Sequence, residues 1–514
     1  MFKSFINIRS NKIGIIKNTS IIFFVIFLVF SRLIVDFFVI LGALSFLFLK
    51  IKNNIKINSN IFIYLIIFYI YLIISSFNSE VLLISLSTTL PYIRFILFIF
   101  FIRIYFCDHS SLKTLLYSFL FIYSILLIDA VFQIQLGHNL FGYTTDPSER
   151  ISSFFGKRLI LGSFISKTFA IVIFLIFYLN IKYKYFFYIV TILISAFLVY
   201  VSRERSAFFV FFGILFFSFF LIEKKYFLKI TSIVLLKIVL LLFFYQQPFQ
   251  RIYHHTKSQL FEESKRFTFF SERHEHHYLT AINIFNKHPF FGGGANSFRY
   301  LCDKETYSVK DLIFNDPKNK SFSKNDGYYY HIKSYNIYGK QSNNDLFFVF
   351  AKEFFESYNI KNYDENKILQ LIDQLSESEY KKNVEKYIVP YHHILDINNY
   401  KNFDYVKKGS LLFTSHEFRN GCNTHPHHIF IQFISEVGFF GLIFLLVFYF
   451  FICKSLLIKI LQFIKKGIIA NDVVIYGYFF TVFFPLIPSG NFFNNYYSIL
   501  LYLPLTFVLL CQRK

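Results

Sequence analysis

Arginine grips a phosphate through two parallel N–H donors and stays charged at any physiological pH, whereas a neutral histidine can take a proton from a hydroxyl group. This sequence carries both residue types in compact settings. Arg203 and Arg205 flank Glu204 in the run Ser202–Ser206, and the segment Thr424–His428 brings His425, His427 and His428 together. Two guanidinium groups beside long apolar runs would suit an anionic head group; snorkelling to a membrane interface, or pairing with Glu204, is the structural account of the same residues. A helix starting near His428 would set His425 or His427 close to a helix N-terminus, which disfavours imidazolium and leaves a ring able to act as a general base. A polar cap is the structural alternative.

A third stretch runs Glu272-Arg273-His274-Glu275-His276-His277 and continues through His288-Pro289 to Gly292-Gly293-Gly294. Its His and Glu spacing contains no His-Glu-x-x-His and no paired Cys-x-x-Cys, so no metal site is expected. The glycines follow a polar helix-like segment instead of a buried strand, which predicts a tight turn and not a dinucleotide loop.

The elements that must hold these residues are apolar. Of the 514 residues, 55% are hydrophobic and 16% charged, and the apolar letters gather into lipid-length runs. That pattern excludes disorder, a disulfide scaffold and a soluble multidomain enzyme. It predicts an all-α membrane protein with about twelve transmembrane helices, near 13–30, 33–49, 61–77, 81–106, 111–136, 159–180, 183–201, 206–222, 226–245, 428–453, 468–487 and 492–511. The N-terminal run has no small-residue cleavage pattern and reads as a retained anchor.

The expected organisation is helices one to nine over 1–245, a large external loop over 246–427, and helices ten to twelve over 428–514. Lysines and arginines concentrate in the alternate short connections, which places those on the cytoplasmic side and the large loop outside. The loop is nearly balanced in charge, so most of the formal +22 belongs to the membrane part. The basic excess is thus a topology signal, and no nucleic-acid partner is expected. Apolar spacing over 343–358 and 364–388 suits amphipathic helices, giving the loop a mainly helical, cap-like character. Cys302 and Cys422 fall on the external side, where a disulfide is feasible. Within the membrane, Asp129 and Lys167 have matching depths and could pair.

Together these segments resemble the O-antigen ligase and polymerase family of envelope glycan transferases. The clearest likeness is His425 through Gly441, which is similar to the family's His-x-His-Asn, then Gln, then Glu-x-Gly-x-x-Gly segment, with His428 in place of the Asn. Ser202–Ser206, the turn from His288 to Gly294 with Phe298, and Asp129 to Gly142 followed by Arg150 and Gly162 add to it. The resemblance implies a metal-independent, inverting glycosyltransferase of the inner membrane, without cofactor, whose active site faces the periplasm. The donor would be an undecaprenyl diphosphate-linked glycan and the acceptor lipid A-core oligosaccharide, with membrane lipids as surroundings. By the same resemblance Arg203, Arg205 and Arg273 would hold the diphosphate, and His427, or else His425, would activate the acceptor hydroxyl. A polymerase that joins lipid-linked repeat units is the close alternative; a lipid-linked glycan flippase or exporter is a more remote one.

Overall fold

In the computed structural model, the described residues are 2–53, 60–145, 150–244, 246–257, 270, 272–302, 304, 306–307 and 423–511. They form helices and no strand, with one isolated bridge between His138 and Thr144. In chain order the helices are α1 (Phe2–Phe30), α2 (Arg32–Asn53), α3 (Asn60–Phe77), α4 (Leu82–Thr89), α5 (Ile93–Tyr105), α6 (His109–Leu136), α7 (Leu161–Tyr178), α8 (Lys184–Ser202) and α9 (Arg205–Ser218). They continue with α10 (Lys224–Phe244), α11 (Gln247–Lys257), α12 (Glu272–Lys287), α13 (Phe298–Leu301), α14 (Ile429–Glu436), α15 (Gly438–Lys466), α16 (Val473–Val482), α17 (Asn495–Tyr502) and α18 (Leu505–Cys511).

Among the described residues, seven stretches are long and apolar enough to cross a membrane: Arg32–Lys52, Asn60–Phe77, Leu82–Tyr105, His109–Leu136, Leu161–Tyr178, Lys184–Ser202 and Gly438–Lys466. Gly14–Phe30, Arg205–Leu221, Val473–Val482 and Asn495–Cys511 are apolar but shorter. The helix ends follow local chemistry. Asp108 caps α6 by accepting from the Ser111 N–H, and Gly137 closes it in the left-handed conformation. Pro91 sits in a 3₁₀ turn between α4 and α5, because its ring removes a helical donor.

The chain divides into two units, residues 1–272, 285–297 and 425–514, and residues 273–284 and 298–424. At the centre of the first lies α7, whose residues from Phe169 to Ile176 are all buried. A helix apolar on every side is stable only when surrounded, and α6, α8, α9 and α16 enclose it. In the second unit Asn283 donates to the Tyr307 carbonyl at 3.0 Å over buried Phe298, Leu301 and Cys302.

Two sequence expectations change. The tenth apolar run is not one helix from 428 to 453: α14 ends at Glu436 and α15 runs on through Lys466, where Gly467 ends it. Asp129 and Lys167 do not pair. The Asp129 carboxylate accepts from Ser153 Oγ at 2.6 Å and from the Leu140 N–H at 2.8 Å, while the Lys167 ammonium lies 4.8 Å from the centre of the Tyr497 ring. Equal depth fixed only their height in the bundle, and each found a nearer partner. The amphipathic segments 343–358 and 364–388, and Cys422, lie outside the described residues.

Candidate active site

The break between α14 and α15 is held by the glycine turn. The Gly293 N–H donates to the Ser435 carbonyl at 2.8 Å, Gly294 N–H to Glu436 at 2.9 Å, and Phe439 N–H to Pro289 at 2.8 Å; the Tyr71 hydroxyl donates to the Val437 carbonyl. Irregular backbone is tolerated among apolar helices only when its polar groups are met in this way. The two strands of chain cross so closely that a Cβ on Gly438 would lie 2.4 Å from the Phe290 oxygen, and one on Gly292 2.4 Å from the Glu436 carbonyl carbon. Gly438 also has φ +75°. Gly438→Ala is therefore expected to cost about 3 kcal/mol through overlap and left-handed strain, read as loss of the folded species in thermal size-exclusion assays.

This crossing sets the histidines. His428 caps α14: its Nδ1 accepts from the Ile431 N–H at 3.4 Å, and its Nε2 lies 2.7 Å from the Pro485 carbonyl and must donate to it. Both ring nitrogens are engaged in the neutral form. His425 is buried, with Nε2 3.3 Å from the Ser489 carbonyl. His427 has φ +59°, its carbonyl accepts from the Ser489 N–H at 2.9 Å, and its ring centre lies 4.1 Å from that of His425. It is the partly exposed member of the three. Behind them Gln432 donates to Glu436 at 2.8 Å and Asn491 at 2.7 Å and accepts from the Phe492 N–H, and Asn491 donates to Asn296 at 3.1 Å.

The arginine turn is built around Glu204. Its carboxylate accepts from the Gly162 N–H at 2.9 Å and the Ser163 N–H at 3.2 Å, and meets Arg150 at 3.9 Å. An anion thus sits on the N-terminus of α7, which has no side-chain cap of its own. Burial pushes the Glu204 carboxyl up, and Arg150 and the α7 N–H groups pull the other way. Arg203 is buried and left-handed at φ +54°, and Arg205 opens α9.

Helix directions bring the two groups to one end. Gly213 of α9 abuts Thr481 of α16, and Phe217 abuts Gly477, so the helices are antiparallel. Going from Gly213 back to Arg205 covers about 12 Å at 1.5 Å per residue, in the direction in which the chain leaves Thr481 for Ser489. Arg203, Arg205, Glu204, His425 and His427 therefore share one end of the bundle. The ion pairs Lys17–Asp108 at 3.6 Å, Lys184–Glu223 at 3.4 Å and Lys459–Asp472 at 2.9 Å mark the other. Arg273 belongs to α12 in the second unit, and its side chain lies outside the described residues.

Residues 190–338 match the family model described as O-antigen ligase, a stretch that contains the arginine turn and the glycine turn. The match supports the O-antigen ligase and polymerase family. No curated protein and no solved structure matches the chain. With its several apolar helices the chain reads as a multi-pass membrane protein, and the match supports a ligase- or polymerase-like activity.

The family likeness also makes sense of His428. Its position is that of the Asn in the motif, and the structure uses it as an N-cap, a role in which Asn is among the best residues. Burial pulls the His428 pKa down, the Pro485 carbonyl opposing. A depressed histidine pKa means the unfolded chain binds the proton better, so stability is full above about pH 6.5 and falls as pH drops below it. His428→Asn is expected to keep the cap and remove this acid-side loss, checked by melting temperature against pH.

Glu204 as a distant cap and the Ser489–Asn491 contacts were not foreseen from sequence. The cluster Pro488-Ser489-Gly490-Asn491 was the available sign, as a turn at a helix end.

Proposed function

We propose that this protein is a twelve-pass inner-membrane glycosyltransferase that moves a glycan from undecaprenyl diphosphate to lipid A-core oligosaccharide on the periplasmic face. The observation that carries the reading is the common placement of the Arg203–Arg205 turn and the His425–His428 segment at one end of the bundle, in a chain matched by the O-antigen ligase family. The acceptor oxygen attacks the anomeric carbon as the bond from that carbon to the diphosphate oxygen breaks. His427 takes the hydroxyl proton, and undecaprenyl diphosphate leaves with its new charge held by Arg203, Arg205 and Arg273. Attack opposite the leaving group inverts the anomeric centre. A diphosphate leaving group needs cations and one base, which are the groups gathered here, so the scheme calls for neither metal nor nucleotide. A Cys302–Cys422 disulfide would restrain the external loop.

The test is purified full-length protein given lipid-linked glycan and lipid A-core without added metal or nucleotide. Glycosylated lipid A-core is the expected product. Elongation of lipid-linked glycan instead would establish the polymerase alternative, and no transfer to either acceptor would refute both. Labelling of a cysteine at Thr424 by an impermeant thiol reagent from the periplasmic side checks the orientation; protection there with labelling from the cytoplasm would reverse it.

A further inference from the structure

A cavity of about 390 Å³ opens at the same end of the bundle, and its lining includes Arg32, Lys157, Arg158, Tyr143, Tyr496 and Phe30. Among the described residues no carboxylate lines it, and neither do Arg203, Arg205, His425 or His427. The Arg32 guanidinium lies over the Tyr496 ring at 4.8 Å, and its Nε is buried without a hydrogen-bond partner among the described residues. Lys157 and Arg158 line the same cavity, and the Arg158 charge acts on Arg32. Three cations around one space repel each other, and a buried guanidinium donor without an acceptor among the described residues is costly, so the arrangement favours an anion.

The loop that carries two of these cations is held by buried bonds. Ser153 Oγ donates to Asp129 at 2.6 Å, the Ser152 and Ser153 N–H groups donate to Gln133 Oε1 at 3.2 and 2.8 Å, and Asn139 donates to the Ser153 carbonyl at 2.8 Å. Gly156, at φ +61°, then turns the chain into Lys157 and Arg158. A carboxylate as deeply placed as Asp129 is thereby explained: it fixes the cationic loop.

We propose that this cavity binds a phosphate-bearing anion, seated between Arg32, Lys157 and Arg158. The guanidinium groups offer paired donors, Lys157 a point charge, and the volume falls in the range of ordinary ligand sites, enough for a diphosphate or a glycerophosphate head group. The same chemistry is offered by a soluble phosphate and by an anionic lipid, and the inference does not rest on the transfer reaction above.

The experiment has two arms on the full-length protein. In detergent, inorganic pyrophosphate is titrated while the thermal stability of the folded peak is followed. In parallel, native mass spectrometry counts phosphatidylglycerol retained after release from nanodiscs of phosphatidylcholine and phosphatidylglycerol. Saturable binding in at least one arm is expected, weakened about tenfold or more by Lys157→Gln with Arg158→Gln and kept near wild type by Lys157→Arg with Arg158→Lys. Pyrophosphate binding alone identifies a soluble phosphate site, and retained phosphatidylglycerol alone a lipid head-group site. No saturable binding by the wild-type protein in either arm, or equal binding by the glutamine variant, would overturn the proposal.

Discussion

Replacing His427 with alanine is expected to lower glycan transfer by about 10²- to 10⁴-fold, the range of a lost general base, with binding of the lipid-linked donor retained. The choice among three histidines is structural. His428 spends both nitrogens on the α14 cap and the Pro485 carbonyl, and His425 is buried with Nε2 towards Ser489, whereas His427 is the partly exposed one. Alanine also disturbs the backbone, because residue 427 has φ +59°. Asparagine tolerates that conformation better and cannot act as the base. His427→Asn should therefore be as inactive as His427→Ala but closer to wild type in melting temperature. An active His427→Asn enzyme would remove His427 from the chemistry and leave it as a turn residue.

Much of the frame was legible because apolar run length and terminal residues are local. The runs behind α7 and α8 and the Gly292–Gly294 turn all follow from neighbouring letters. The break at Val437–Gly438 was not legible, since Ile429 to Ile452 is apolar throughout apart from a few residues and composition cannot see a left-handed glycine. What makes the break stable is the pairing of Ser435 and Glu436 with Gly293 and Gly294, which lie in a distant part of the chain. The length of α15 was missed for the opposite reason: Lys454 and Lys459 end an apolar run but are good helix formers, and Lys459 finds Asp472 at 2.9 Å. Sequence placed Asp129 and Lys167 at one depth, yet azimuth around the helices decided their partners.

Glu204 is the second residue whose loss should be severe. Glu204→Ala would strip the acceptor from the Gly162 and Ser163 N–H groups and leave Arg150 facing a vacated, buried position, an effect of about 3–5 kcal/mol for one half of a buried charged contact. Arg150 keeps its bonds to the Ser202 carbonyl at 3.2 Å and the Leu159 carbonyl at 3.1 Å, which limits the loss without replacing the anion. Glu204→Gln keeps one oxygen for the α7 terminus, so about 1–2 kcal/mol is expected. Burial already holds the Glu204 carboxyl up, so removing its charge relieves part of the desolvation that alanine leaves unrecovered in lost bonds. The ordering alanine well below glutamine, measured by retention of folded protein on heating, separates an anchoring carboxylate from a merely repelled one. Equal losses would mean that charge alone matters at 204; no loss in either would mean that the turn bearing Arg203 and Arg205 is held by something else. If the anchor holds, glutamine should also keep more transfer activity than alanine, because under the proposed function the two arginines on either side would hold the donor from a turn fixed to α7.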